Sequence, residues 1–141
     1  MIYLWVALGG ALGSVARFWL NNAVAAATGA EFPWGTLLIN VLGSFIISFF
    51  GTLTSKAARF AVPPEISIFV MVGICGGFTT FSSFSLQTLD LMRGGAPFRA
   101  AVNVVASVVL CIAAVAAGHL IAAYFNGDAA PIAQLDIERD A

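Results

Sequence analysis

Long stretches without a formal charge constrain this chain more than any other feature. Residues 32–55, 66–89 and 100–127 contain no Asp, Glu, Lys or Arg. A membrane-spanning helix needs about 20 predominantly apolar residues, and each stretch is long enough. None alternates apolar and polar residues as a half-buried strand does. Residues 1–30 are uncharged except for Arg17, which predicts one further helix with Arg17 inside it or near its end. The expected fold is an all-α membrane protein with four transmembrane helices, over about residues 2–26, 34–55, 66–89 and 98–125.

Composition narrows the classes further. Charged residues make up 9% of the chain and hydrophobic residues 60%, whereas a soluble domain averages about 25% charged residues. So few charges cannot cover a water-facing surface. The net charge of −1 removes the electrostatic basis for binding nucleic acid. The connections are short and carry turn residues: Thr28 to Pro33, Lys56 to Glu65 with Pro63-Pro64, and Arg93 to Pro97. Residues 1–127 are expected to form the membrane domain. Residues 128–141 form an acidic tail, with Asp128, Asp136, Glu138 and Asp140 beside Arg139. The first segment lacks a basic start, and its only Arg follows the apolar stretch, so it is expected to be a span and not a cleaved signal.

If the helices alternate in direction, Lys56, Arg59 and Arg139 lie on one side, and Arg93 and Arg99 on the other, with Arg17 left unassigned. The positive-inside rule then gives almost no preferred orientation. Two readings stay open. One side wins weakly, or the chain inserts both ways and pairs antiparallel.

Polar residues inside the spans need partners, water or a helix end. Thr36, Asn40, Ser44, Ser48 and Thr52 recur every four residues in the second span, so neighbours share a side that drifts around the helix. Helix–helix glue and a polar path both explain the hydroxyls. Asn40 is the more telling residue, because its amide has more bonds to satisfy. Asn103, Ser107 and Cys111 repeat the spacing in the fourth span, where packing and a shared path stay equally open.

The third span holds Gly73-Ile74-Cys75-Gly76-Gly77-Phe78-Thr79-Thr80-Phe81-Ser82-Ser83-Phe84-Ser85. Glycines beside hydroxyl residues predict a broken helix, whose freed carbonyls need partners, a cation among the candidates. Gly9-x-x-x-Gly13 and Gly73-x-x-x-Gly77 suit close helix packing. Phe78, Phe81 and Phe84 share a face and interleave with Thr79, Thr80, Ser82 and Ser83. Phenyl edges are positive, so edges turned into a dry path attract an anion without the grip of a Lys. Arg17 is either a functional group in the membrane or a snorkelling one. His119 stands alone, and Cys75 and Cys111 lie in different spans without metal-ligand spacing. No pattern for enzyme chemistry is present in the sequence.

The motifs Gly9-Gly10-Ala11-Leu12-Gly13-Ser14-Val15-Ala16-Arg17, Trp34-Gly35-Thr36-Leu37-Leu38-Ile39-Asn40 and Gly76 through Ser85 resemble those of the Fluc (CrcB) fluoride channels of microbial membranes. The resemblance covers roughly residues 8–118. It implies a dual-topology antiparallel homodimer in the cytoplasmic (inner) membrane that exports fluoride passively. It also implies a sodium ion (Na+) at the dimer centre, held by the backbone carbonyls of Gly76 and Thr79. By motif position the pore Phe pair falls on Phe81 and Phe84, the pore amide on Asn40 and the vestibule arginine on Arg17. The hydroxyl track of the fourth span falls on Ser107, with Asn103 and Cys111 one turn to either side. Thr36, Thr80 and Ser83 complete the expected ion pathway. Three positions depart from the pattern: Gln87 stands where an acid is frequent, and Asn103 and Cys111 stand where Tyr and Ser are usual.

Two other functions compete. A proton-coupled drug exporter of four spans needs an intramembrane carboxylate, and Glu31 and Glu65 both lie in connections. A non-transporting membrane subunit or scaffold explains the glycine packing but leaves the Gly-Thr-Phe-Ser cluster without a use.

Overall fold

The computed structural model describes residues 1–55 and 58–127; the acidic tail lies outside them. Among the described residues the chain is entirely helical, with four stretches long and apolar enough to cross a membrane. Helix α1 spans Ile2–Thr28 and α2 spans Trp34–Leu53. The third span, Pro64–Arg93, is built from pieces: α3 (Pro64–Ser67), a π-wound segment π1 (Ile68–Cys75), α4 (Gly76–Phe78) and α5 (Phe81–Arg93). Helix α6 runs over Pro97–Asn126.

The helices outrun most of the charge-free stretches. The third span begins at Pro64 and carries Asp90 and Arg93 in its last turns. Proline suits a first helical position, where its missing N–H has no partner to lose. The 30 residues of α6 make a rod of about 45 Å, against a hydrocarbon layer of about 30 Å. Its ends therefore reach the headgroups, and exposed aromatics mark both boundaries: Tyr3 and Tyr124 at one end, Trp34 and Phe98 at the other.

Of the four spans α2 is the most buried. It packs along α6 on one side and against α1 and π1 on the other. The α2–α6 seam is held by polar contacts. Ser48 Oγ donates to the Val115 carbonyl at 2.8 Å, Thr52 Oγ1 meets His119 Nδ1 at 2.9 Å, and Asn126 Nδ2 donates to the Thr52 carbonyl at 3.0 Å.

The α1–π1 seam is held by backbone approach instead. A Cβ on Gly9 would sit 2.5 Å from the Phe69 carbonyl oxygen and 2.9 Å from Gly73 Cα. The two small-residue motifs therefore lie face to face, as close membrane packing requires.

The third span breaks at Thr79-Thr80, as its glycines and hydroxyls predict. Thr79 has φ −79° and ψ 158°, and Thr80 has φ −154° and ψ 112°. The break redirects the chain. Before it, π1 and α4 pack on α1; after it, α5 leaves α1 and packs on α6. The outward faces stay apolar, with Leu8, Leu12, Val15 and Phe18 exposed on α1, and Val105, Val109 and Ile112 exposed on α6.

Candidate functional site

The break is held open by one side chain from α2. The Thr80 N–H donates to Asn40 Oδ1 at 2.8 Å, and Asn40 Nδ2 donates to the Thr80 carbonyl at 3.1 Å. Asn40 thus does for one residue what a neighbouring strand does in a sheet. In an unbroken helix the Thr80 N–H would bond the Gly76 carbonyl. Asn40 takes that donor, so the Gly76 carbonyl loses its helical partner.

Thr79 closes the preceding helix: its N–H and its Oγ1 both donate to the Cys75 carbonyl at 3.0 Å. Thr80 opens the next one. Its Oγ1 accepts from the Ser83 N–H at 3.2 Å, an N-cap bond. The same oxygen donates to Ser83 Oγ at 3.0 Å. Ser83 therefore accepts from Thr80 and keeps its own proton to offer elsewhere.

Two clefts adjoin the break. One, of about 440 Å³, is walled by Asn40 and Ser44 of α2, by Thr79, Thr80, Phe81 and Phe84, and by Ser107 and Cys111 of α6. The Phe81 and Phe84 rings lie 5.3 Å apart at 47°, and Phe81 is 79% exposed on the single chain. Ser107 is buried, and its Oγ has no hydrogen-bond partner. No charged side chain is in this wall. Cys111 and Cys75 are both free thiols.

The second cleft, of about 350 Å³, lies between α1 and α5, which the break has separated. Its wall includes Arg17, Thr36, Thr80 and Ser83, and also Ser14, Asn21 and Gln87. Arg17 is half-buried here, with about 16 Å of helix still between it and the end of α1. Thr80 belongs to both walls.

The expected pathway residues thus divide between two clefts, and one stands apart. Asn103 is 1% exposed, and its Nδ2 donates to Thr88 Oγ1 at 2.8 Å. It tethers α6 to α5 and faces neither cleft. Each four-residue step turns about 40° around a helix, enough to separate Asn103 from Cys111. Gly76 lies on the exposed face of α4, and a Cβ there would meet nothing within 4 Å.

The sequence reading missed Ser14 and Asn21. Their signal was available: Ser14, Arg17 and Asn21 recur at helical spacing on one face of α1. Asn21 stands beside Asn22 near the end of the span, and the pair alone did not show which of the two faces inward.

Fold and clefts together define a small multi-pass helical membrane protein with two clefts beside the break in its third span. The chain matches the model of the CrcB-like proteins (Camphor Resistance, CrcB) over residues 4–119, and it belongs to that family. A protein of Methylobacterium radiotolerans is 59% identical over 96% of this chain and 94% of its own length. Relatives from Methylocella silvestris and Gluconobacter oxydans are each 58% identical. The first matches 89% of this chain and 96% of its own length, the second 98% and 96%. All three relatives are named fluoride-specific ion channel FluC.

Proposed function

We propose that this chain is a fluoride-selective channel that lets fluoride leave the cytoplasm passively and so lowers its toxicity. The observation that carries the reading is the uncharged cleft where Phe81 and Phe84 face the unpartnered Ser107 hydroxyl. Fluoride is small and strongly hydrated, so compact donors must replace its water. Ring edges carry partial positive charge, and hydroxyls donate. Neither holds an anion as tightly as a lysine would, and conduction needs every site to release its ion. Arg17 attracts the anion into the neighbouring cleft. Hydrogen fluoride crosses the bilayer from acid surroundings and dissociates inside, and the channel returns the anion down its electrochemical gradient. The names of the relatives support the same reading.

The working unit in this reading is an antiparallel homodimer, its two copies inserted in opposite directions in the cytoplasmic membrane of a microbe. The near balance of basic residues between the two ends supports it. So does the exposure of Phe81, which a second copy would cover.

A sodium ion at the dimer centre belongs to the same proposal. The Gly76 and Thr79 carbonyls would hold it, and the residues fit: Gly76 lacks its helical donor and lies on an open face. Backbone carbonyls are hard oxygen donors suited to such an ion. When bound, the ion would supply the positive charge that the freed carbonyls lack.

The test is fluoride efflux from liposomes holding the purified protein, read with a fluoride electrode, with chloride as control. Fast fluoride release with little chloride release is expected. Phe81→Ile and Phe84→Ile should each lower fluoride release at least about tenfold, the scale of a lost contact to an ion. Wild-type rates in both variants would remove the ring-edge role.

A further inference from the structure

The inner cleft, between α1 and α5, has a neighbour nearer the end of the molecule. A further cleft, of about 530 Å³, lies beyond it toward the α1–α2 and α5–α6 connections, with Asp90 and Arg99 in its wall. The two clefts have only Asn21 and Gln87 in common. One is from α1 and the other from α5, so they flank the passage from opposite sides.

Asn21 is held in place by what its neighbour lacks. A Cβ on Gly35 of α2 would collide with Asn21 Oδ1 and lie 3.1 Å from its Cγ and 3.2 Å from its Cα. The carboxamide therefore rests on bare backbone at Gly35. Gln87 has a buried Oε1 without a partner. Among the described residues neither side-chain amide donates a hydrogen bond. A side-chain amide carries two N–H donors and one acceptor oxygen, and no charge.

We propose that Asn21 and Gln87 form a two-amide neck between the outer and inner clefts, where their N–H groups take over part of the water shell of a passing fluoride. The proposal rests on the conduction reading above and adds a selectivity step ahead of the phenylalanines. Outside the neck the wall holds both signs of charge, Asp90 and Arg99; inside it the only charge is Arg17. An anion that loses water at the neck is met by Arg17 one turn further along α1. A cation can meet the amide oxygens at the neck, but inside it faces the like charge of Arg17. Gly35 is a positioning residue in this scheme, because any side chain there pushes Asn21 into the passage.

The experiment uses the full chain in liposomes. Asn21→Leu and Gln87→Leu keep the bulk and remove the donors, and each should slow fluoride efflux about tenfold, the scale of a lost hydrogen bond to an ion. Both variants should elute from a sizing column as wild type does. Asn21→Cys, made together with Cys111→Ser, should react with a negatively charged methanethiosulfonate reagent added in water, and flux should then stop. Added fluoride should slow that reaction. Wild-type flux in both Leu variants, or a Cys at position 21 that the reagent cannot reach in folded protein, would overturn the neck. Failure of the wild-type protein to release fluoride would instead overturn the conduction reading.

Discussion

The two halves of α2 carry the same pattern and do different work. Thr36, Asn40 and Ser44 face the clefts, and Ser48 and Thr52 face α6. Steps of four residues turn about 40° each, so Thr36 and Thr52 point roughly 160° apart. One stripe in the sequence thus becomes two surfaces. The hydroxyls on the α6 side are paired: Ser48 with a carbonyl and Thr52 with His119. On the cleft side Asn40 spends both its polar atoms on the Thr80 backbone, while Ser107 across the cleft is left without a partner. The comparison separates polar groups that hold helices together from polar groups that wait for something to pass. Burial alone does not make that distinction, because Thr52 and Ser107 are both buried.

The sharpest way to break the comparison is at Asn40. Asn40→Leu leaves the Thr80 N–H and carbonyl unpaired in the membrane, at about 1–3 kcal/mol for each group. The break should then close or shift. Both thermal stability and fluoride flux should fall, flux to near background. A stable Asn40→Leu protein with full flux would mean that the break does not need this pin.

The next effect in size belongs to Ser107. Ser107→Ala removes a hydroxyl that bonds to nothing in the fold. Stability should stay within about 0.5 kcal/mol of wild type, and fluoride flux should fall about tenfold, as for a lost hydrogen bond to an ion. A drop in stability with unchanged flux would move Ser107 to the structural side of the comparison.

The four spans were legible because charge is excluded from hydrocarbon, and runs such as residues 32–55 say so directly. The break was legible for a local reason: Gly76, Gly77, Thr79 and Thr80 are poor helix interiors wherever they stand. The π winding of Ile68–Cys75 was not. A run of Ile, Phe, Val and Met favours burial but does not choose a hydrogen-bond register. That register depends on the fit of π1 against Gly9 and Gly13 of α1, a tertiary matter. For the same reason Asn103 and Ser107 looked alike in sequence, one turn apart with the same surroundings. Which one found a partner depended on where α5 went after the break, and Thr88 came to lie beside Asn103.

The smallest effect tests the other half of α2. Ser48→Ala and Thr52→Val each remove one contact to α6. Polar contacts between membrane helices average about 0.6 kcal/mol, since separated helices also find partners in the membrane. Thr52 should cost slightly more than Ser48, because its loss also leaves His119 Nδ1 unpaired. Unfolding in a mild detergent series should show these small shifts, with fluoride flux at the wild-type rate in both variants. The contrast with Ser107→Ala is then complete, with stability and flux moving separately. If Thr52→Val slows fluoride without loosening the fold, the α2–α6 seam carries more than packing. The division between the two halves of α2 would then have to be redrawn around His119.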